Sequence, residues 1–280
     1  MTEIIGIIKE ALTDTLKTVP VLFLAYLIME LLEHKAGEKT NRFLARVGRF
    51  GPVIGSAFGI IPQCGFSSAA AGFFAAGIIT PGTLIAVFIA TSDEMLPILI
   101  SERAGVGFIF SVIGIKFVSA ALFGFLIDLA FSKKQPTDDI HHLCEQEHCS
   151  CEHNLLLSVI KHTLKISALI FLVSAVLGAV IDLGGDKILS RLLLKTPVVG
   201  ELIAGLVGLI PGCSVSVLLT KLHLGGIVSP GAMIAGLSSN AGVALPILLR
   251  LNKNTSQNLK IVAGLYFCAV LTGLVANLII

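Results

Sequence analysis

Gly59-Ile60-Ile61-Pro62-Gln63-Cys64 and Gly208-Leu209-Ile210-Pro211-Gly212-Cys213 are two versions of one phrase, set 149 residues apart. The offset holds well beyond the phrase. Pro62/Pro211, Cys64/Cys213, Ser67/Ser216, Gly77/Gly226, Pro81/Pro230, Gly82/Gly231, Pro97/Pro246 and Leu99/Leu248 all pair at 149, as do Gly124 and Gly273. A looser echo joins Thr15-Leu16-Lys17 to Thr163-Leu164-Lys165. Proline removes a backbone donor and glycine loosens a helix, so both copies are expected to break at the same place.

The surroundings of these breaks set the class. The chain is 55% hydrophobic and 14% charged, with a mean hydropathy of +0.93, far from the balance of a soluble domain. Apolar runs cover 19–32, 50–62, 64–90, 105–131, 166–183, 197–220, 224–249 and 261–280. Several approach the ~20 residues that cross a ~30 Å hydrocarbon core. The expectation is an all-α polytopic membrane protein whose first partner is the lipid bilayer. Glu3, Glu10 and Asp14 near the start, with no A-x-A-like site after a short apolar core, argue against a cleaved signal peptide. The net charge of +2 gives no reason to expect nucleic acid, and the absence of a Walker-type phosphate loop disfavours ATP-driven pumping. Cys64, Cys213 and Cys268 sit in apolar segments and Cys144, Cys149 and Cys151 in one polar loop, which is not a disulfide framework.

Each copy contains about five hydrophobic segments. They lie near 11–33, 43–61, 64–79, 82–100 and 105–131, then near 157–183, 197–210, 213–228, 231–249 and 257–279. The chain therefore divides into a first transmembrane repeat over 1–131, a polar loop over 132–156 and a second repeat over 157–280. The short second and third segments of each repeat are joined through Pro-x-Cys, as full spans or as a re-entrant pair of proline-broken helices. Both options give an odd number of crossings, so the expected arrangement is two inverted repeats about an axis in the membrane plane. That is the build of many secondary transporters, with the site near the midplane. Positive charge chooses the side. With the N-terminus outside, twelve Lys and Arg fall in inner loops and six in outer segments, which places both termini outside and loop 132–156 in the cytoplasm.

Four groups of residues have chemistry to offer. At the first break, Gln63, Cys64 and Ser67 place a soft sulfur among small polar neighbours, and Cys213, Ser214 and Ser216 do the same in the second copy. The plain alternative is a tight turn packed with small residues. Next, Thr91-Ser92-Asp93-Glu94 puts two acids inside an apolar segment, and intramembrane acids mark pathways or relays. The second copy has Ser238-Ser239-Asn240 there, and its positions matching Asp93 and Glu94 are Gly242 and Val243. Only the first copy is charged. The plain alternative is a helix end at the interface. Third, Lys116 lies in the middle of 105–131 and calls for a partner, for which Asp93 or Glu94 is the natural candidate; Lys221, beside His223, fits snorkelling to an interface.

The fourth group is the loop. His141, His142, Cys144, His148, Cys149, Cys151 and His153 crowd seven soft and borderline ligands into 13 residues, suited to zinc, copper or thiolate-bound arsenic(III). No zinc-finger spacing is present, and a polar linker is the plain alternative. No cofactor is expected beyond a metal ion in this loop.

Glu33-His34-Lys35-Ala36-Gly37, Gly51-Pro52, Pro62-Gln63-Cys64-Gly65-Phe66-Ser67 and Thr91-Ser92-Asp93-Glu94-Met95-Leu96-Pro97 closely resemble the ten-helix heavy-metal exporter family. Its members are labelled arsenic efflux proteins or manganese transporters. The resemblance runs the length of the chain, with Pro211-Gly212-Cys213 and Ser238-Ser239-Asn240 also fitting. It implies export of a heavy metal or metalloid from the cytoplasm across the inner membrane. On that reading Cys64 and Cys213 are substrate ligands, Asp93 and Glu94 couple transport to protons, and Lys116 is their counter-charge. A manganese-like carrier would instead use the oxygens of Asp93, Glu94, Gln63 and Asn240. A different class, a membrane-embedded metal sensor or metallochaperone subunit, would make the 141–153 loop the working part. No nucleophile–base–orienter constellation points to an enzyme, and the sequence leaves self-association into a homo-oligomer open.

Overall fold

The computed structural model describes residues 50–61, 64–91, 95–130 and 198–280, with isolated helical positions between 12 and 27 and between 160 and 172. Among these residues the regular structure is all helical. In chain order the helices are α1 (Phe50–Gly59), α2 (Cys64–Ala75), α3 (Pro81–Ala90), α4 (Met95–Ser101) and α5 (Val106–Ala130). They are followed by α6 (Val199–Gly208), α7 (Cys213–Leu224), α8 (Pro230–Ser239), α9 (Ala244–Leu251) and α10 (Thr255–Ile279).

The 149-residue offset reappears in these bounds. Shifted by 149, α1, α2, α3 and α5 become 199–208, 213–224, 230–239 and 255–279, the bounds of α6, α7, α8 and α10. Matching local chemistry produces the matching starts. Pro81 and Pro230 each occupy the first turn, where a missing N–H costs nothing. The hydroxyls of Thr80 and Ser229 cap the helices by accepting from the amides of Thr83 and Ala232.

Among the described residues, four stretches have the length and apolarity to cross a membrane: Pro81–Ser101, Val106–Ala130, Pro230–Leu251 and Thr255–Ile279. The first and third are interrupted, between α3 and α4 and between α8 and α9. Helices α1 and α6 have ten residues and α2 and α7 twelve, so each spans only about 15–18 Å at 1.5 Å per residue. Each is a half-length helix.

Packing follows from small residues. On α5, Val112, Lys116, Ala120 and Gly124 form a buried stripe at four-residue spacing. A Cβ on Gly82 would overlap the carbonyl oxygen of Gly124, and one on Gly231 would overlap that of Gly273. Thus α3 crosses α5, and α8 crosses α10, backbone against backbone at equivalent glycines. The opposite face of α5 exposes Val118, Leu122 and Leu129. Such a continuous apolar surface is suited to lipid rather than to water.

The two halves are also interleaved. Helix α2 packs on α9 and α7 on α4; α10 packs on α3 and α5 on α8. Each contact has its counterpart when the halves are exchanged. Within this shared core, Met95, Leu96, Leu99 and Val112 of the first half meet Met233, Ile234, Leu237 and Ala276 of the second.

Candidate functional site

The interruption in the second half is described completely. Asn240 follows the last residue of α8, and its Oδ1 accepts from the Gly242 amide at 2.8 Å, folding the chain back on itself before α9. Gly242 has φ +56°, the left-handed conformation that glycine adopts without a Cβ penalty. The Asn240 Nδ2 donates to the Gly212 carbonyl at 3.2 Å. One buried amide therefore joins the break between α8 and α9 to the Pro-Gly-Cys break between α6 and α7. Beside it, Ser239 Oγ lies 2.7 Å from the Gly205 carbonyl oxygen and 3.0 Å from that of Gly236. Ser238 is fully buried, and its Oγ has no hydrogen-bond partner among the described residues.

In the first half, Thr91 ends α3 and its Oγ1 donates to the Val87 carbonyl at 2.7 Å. Ser92, Asp93, Glu94 and Gln63 lie outside the described residues. Cys64 and Cys213 are placed as the opening residues of α2 and α7; their side chains, and that of Ser214, are likewise outside the description. Ser67 and Ser216 are buried one turn further along the same helices.

Lys116 connects the two halves. It is fully buried on α5, and its Nζ donates to the Thr91 carbonyl at 2.5 Å and to the Leu237 carbonyl at 3.3 Å. Thr91 caps α3, and Leu237 lies in the last turn of α8. Both carbonyls stand where a helix runs out of its own N–H partners and carries partial negative charge. The described bonds of Lys116 go to main-chain oxygens; the carboxylates expected as its partners, Asp93 and Glu94, lie outside the described residues. Lys221, by contrast, is exposed, and His223 stacks on Phe108 with ring centroids 5.2 Å apart.

Two acids that the sequence reading passed over stand at the starts of the broken helices. Asp128 on α5 accepts from Thr80 Oγ1 at 2.7 Å and from the Gly82 amide at 2.8 Å, so both its oxygens serve the start of α3. Glu201 on α6 is fully buried, accepts from Ser229 Oγ at 3.4 Å, and has no partner for Oε2 among the described residues. Their repeat counterparts are Asn277 and Pro52, so neither acid is shared. A lone acid inside each apolar run was the available signal. Among the described residues, no three His, Cys, Asp or Glu side chains are grouped to hold a metal ion. The loop ligands His141, His142, Cys144, His148, Cys149, Cys151 and His153 lie outside the described residues.

Apolar helices of membrane length, broken at matched positions and joined through buried polar groups, define a polytopic membrane protein with the build of a transporter. The family model described as "Putative, 10TM heavy-metal exporter" matches residues 3–188, and the chain belongs to this family. The breaks at Gly212 and Asn240 lie beyond the matched stretch. No curated protein and no solved structure matches the chain.

Proposed function

We propose that this protein is a secondary transporter of the inner membrane that exports a soft metalloid or heavy-metal species, arsenic(III)-like in chemistry, in exchange for protons. The observation that carries the reading is the meeting of the two interrupted helices at Lys116, in a chain of a heavy-metal exporter family. Broken helices that face one another across repeats are where secondary transporters hold their cargo.

The exchange of contacts between the halves supports an internal pseudo-two-fold, since a two-fold relation makes every contact reciprocal. With an odd number of crossings per half, that axis lies in the membrane plane and the repeats are inverted, with both termini outside and loop 132–156 in the cytoplasm. Rocking of one half against the other would then open the breaks to each side in turn. Cys64 and Cys213 each open a half-length helix, whose N-terminal partial charge favours an anionic thiolate ligand for the cargo. Asp93 and Glu94 carry the exchanged proton, with Lys116 as counter-charge. Gln63, Ser67, Thr91, Ser92, Ser214, Ser216, Ser238, Ser239 and Asn240 line the path. The His- and Cys-rich loop buffers metal on the cytoplasmic side.

A second reading has its own observation. Apart from the Lys116 ammonium, the described side-chain polar atoms at the breaks are oxygens and one amide nitrogen, and among the described residues the Ser238 hydroxyl is buried without a partner. Such a donor set suits a hard divalent cation of the manganese type. Competition separates the two: in cells stripped of their own arsenite efflux, the expressed chain should lower cell-associated arsenic, and excess manganese(II) should leave that effect unchanged. Loss of manganese rather than arsenic would transfer the assignment to the divalent-cation carrier.

A further inference from the structure

We propose that the carbonyl oxygens at the two helix ends form a monovalent-cation site, and that the Lys116 ammonium fills it as a tethered ion. The acceptors come from both halves, Thr91 from the first and Leu237 from the second, yet they converge on one Nζ, at 2.5 and 3.3 Å. Helix C-terminal ends and unwound carbonyls are what broken-helix transporters offer to an exchangeable cation. Here the charge is supplied from within. It is also supplied only once, because the repeat counterpart of Lys116 is Leu265, which is fully buried and apolar (116 + 149 = 265).

The surroundings fit a dehydrated ion. Lys116 has no exposed surface, and the stripe it belongs to is otherwise Val112, Ala120 and Gly124. An ammonium in such a place must recover from the protein the hydration it has lost, and the carbonyls of Thr91 and Leu237 are the described contributors to that. Truncation to alanine removes three methylenes and the ammonium and leaves those oxygens facing the space of a propylammonium. The site then becomes open to a small primary ammonium, which can donate N–H bonds to the same oxygens, or to sodium. The inference stands on this geometry alone, independently of which species is exported.

Thermal unfolding of the purified full chain in detergent tests it. Lys116→Ala should melt well below the wild type in tetramethylammonium chloride, by roughly 4 °C or more. Replacing that salt with ethylammonium chloride at equal ionic strength should restore at least half of the loss, saturably, because ethylammonium has N–H groups and tetramethylammonium has none. Lys116→Met fills the space without charge, and should be destabilised yet gain nothing from ethylammonium. Equal rescue by both salts, or rescue of the Met variant, would overturn the proposal. So would an Ala variant that stays unrescued, or one as stable as the wild type. Should the Ala variant not fold in either salt, the Met variant decides: a melting temperature equal to the wild type's refutes a cation site.

Discussion

Asn240 and Gly212 are 28 residues apart in sequence, and the hydrogen bond from Asn240 Nδ2 to the Gly212 carbonyl makes their two helix breaks one structural unit. The same side chain turns the backbone through its bond from the Gly242 amide. Asn240→Ala removes both bonds and leaves buried main-chain groups unmet, at a cost of about 1–3 kcal/mol for each unsatisfied group. The expected outcome is a lower melting temperature and a fall in transport larger than any fall in the amount of protein in the membrane. Unchanged transport with unchanged stability would show that the two breaks work separately.

Equivalent glycines set the helix crossings. Gly124→Ala would drive a methyl into Pro52, the Gly82 carbonyl oxygen and Ala86, and Gly273→Ala would do the same at Gly231 and Ala235. Overpacking of this kind costs about 1–3 kcal/mol. On the same helix as Gly124, a Cβ at Gly107 or Gly114 meets nothing within 4 Å. Alanine there should be neutral or stabilising by up to about 1 kcal/mol. Melting temperatures of the four variants check the contrast, and equal effects would refute the close crossing.

The two acids at the helix starts should respond in opposite ways. Asp128→Ala takes the acceptor from the Gly82 amide and leaves the Thr80 hydroxyl only its bonds to Thr83, and should destabilise the protein by about 1–3 kcal/mol. Asp128→Asn should be milder, because the second repeat has Asn277 at this position. Glu201→Gln removes a carboxylate oxygen that has no donor, so it should leave stability equal or improved. A large loss in the Gln variant would mean that the Glu201 carboxylate is held by a partner of its own.

The repeat was legible in the sequence because proline and glycine constrain the backbone wherever they occur, and Pro62/Pro211, Pro81/Pro230 and Gly82/Gly231 punctuate both copies at one offset. The polarity of the second break was legible too, in Ser238-Ser239-Asn240. That main-chain oxygens help to hold Lys116 was not. Carbonyl oxygens exist at every residue, and only the ending of a helix makes those of Thr91 and Leu237 available. Asp128 and Glu201 were hidden for a related reason. Their apolar surroundings averaged them away, and whether an acid is capped or left open depends on a helix start brought to it by packing.

Proton coupling is expected to reside in the first repeat, since Gly242 and Val243 stand where it has Asp93 and Glu94. Asp93→Asn and Glu94→Gln, reconstituted separately, should include at least one variant that still binds cargo but no longer responds to an imposed pH gradient. Full gradient-driven transport by both would assign coupling to another group.

The most direct measurement is arsenite flux by the purified chain alone in liposomes, compared with the variant carrying Cys64→Ser and Cys213→Ser. Arsenic(III) prefers sulfur to oxygen, so the wild type should give saturable flux driven by a pH gradient, and the double variant should retain less than about a tenth of it, with folding and incorporation intact. No flux from the wild type, or wild-type flux from the double serine variant, would contradict the thiol-based exporter described above.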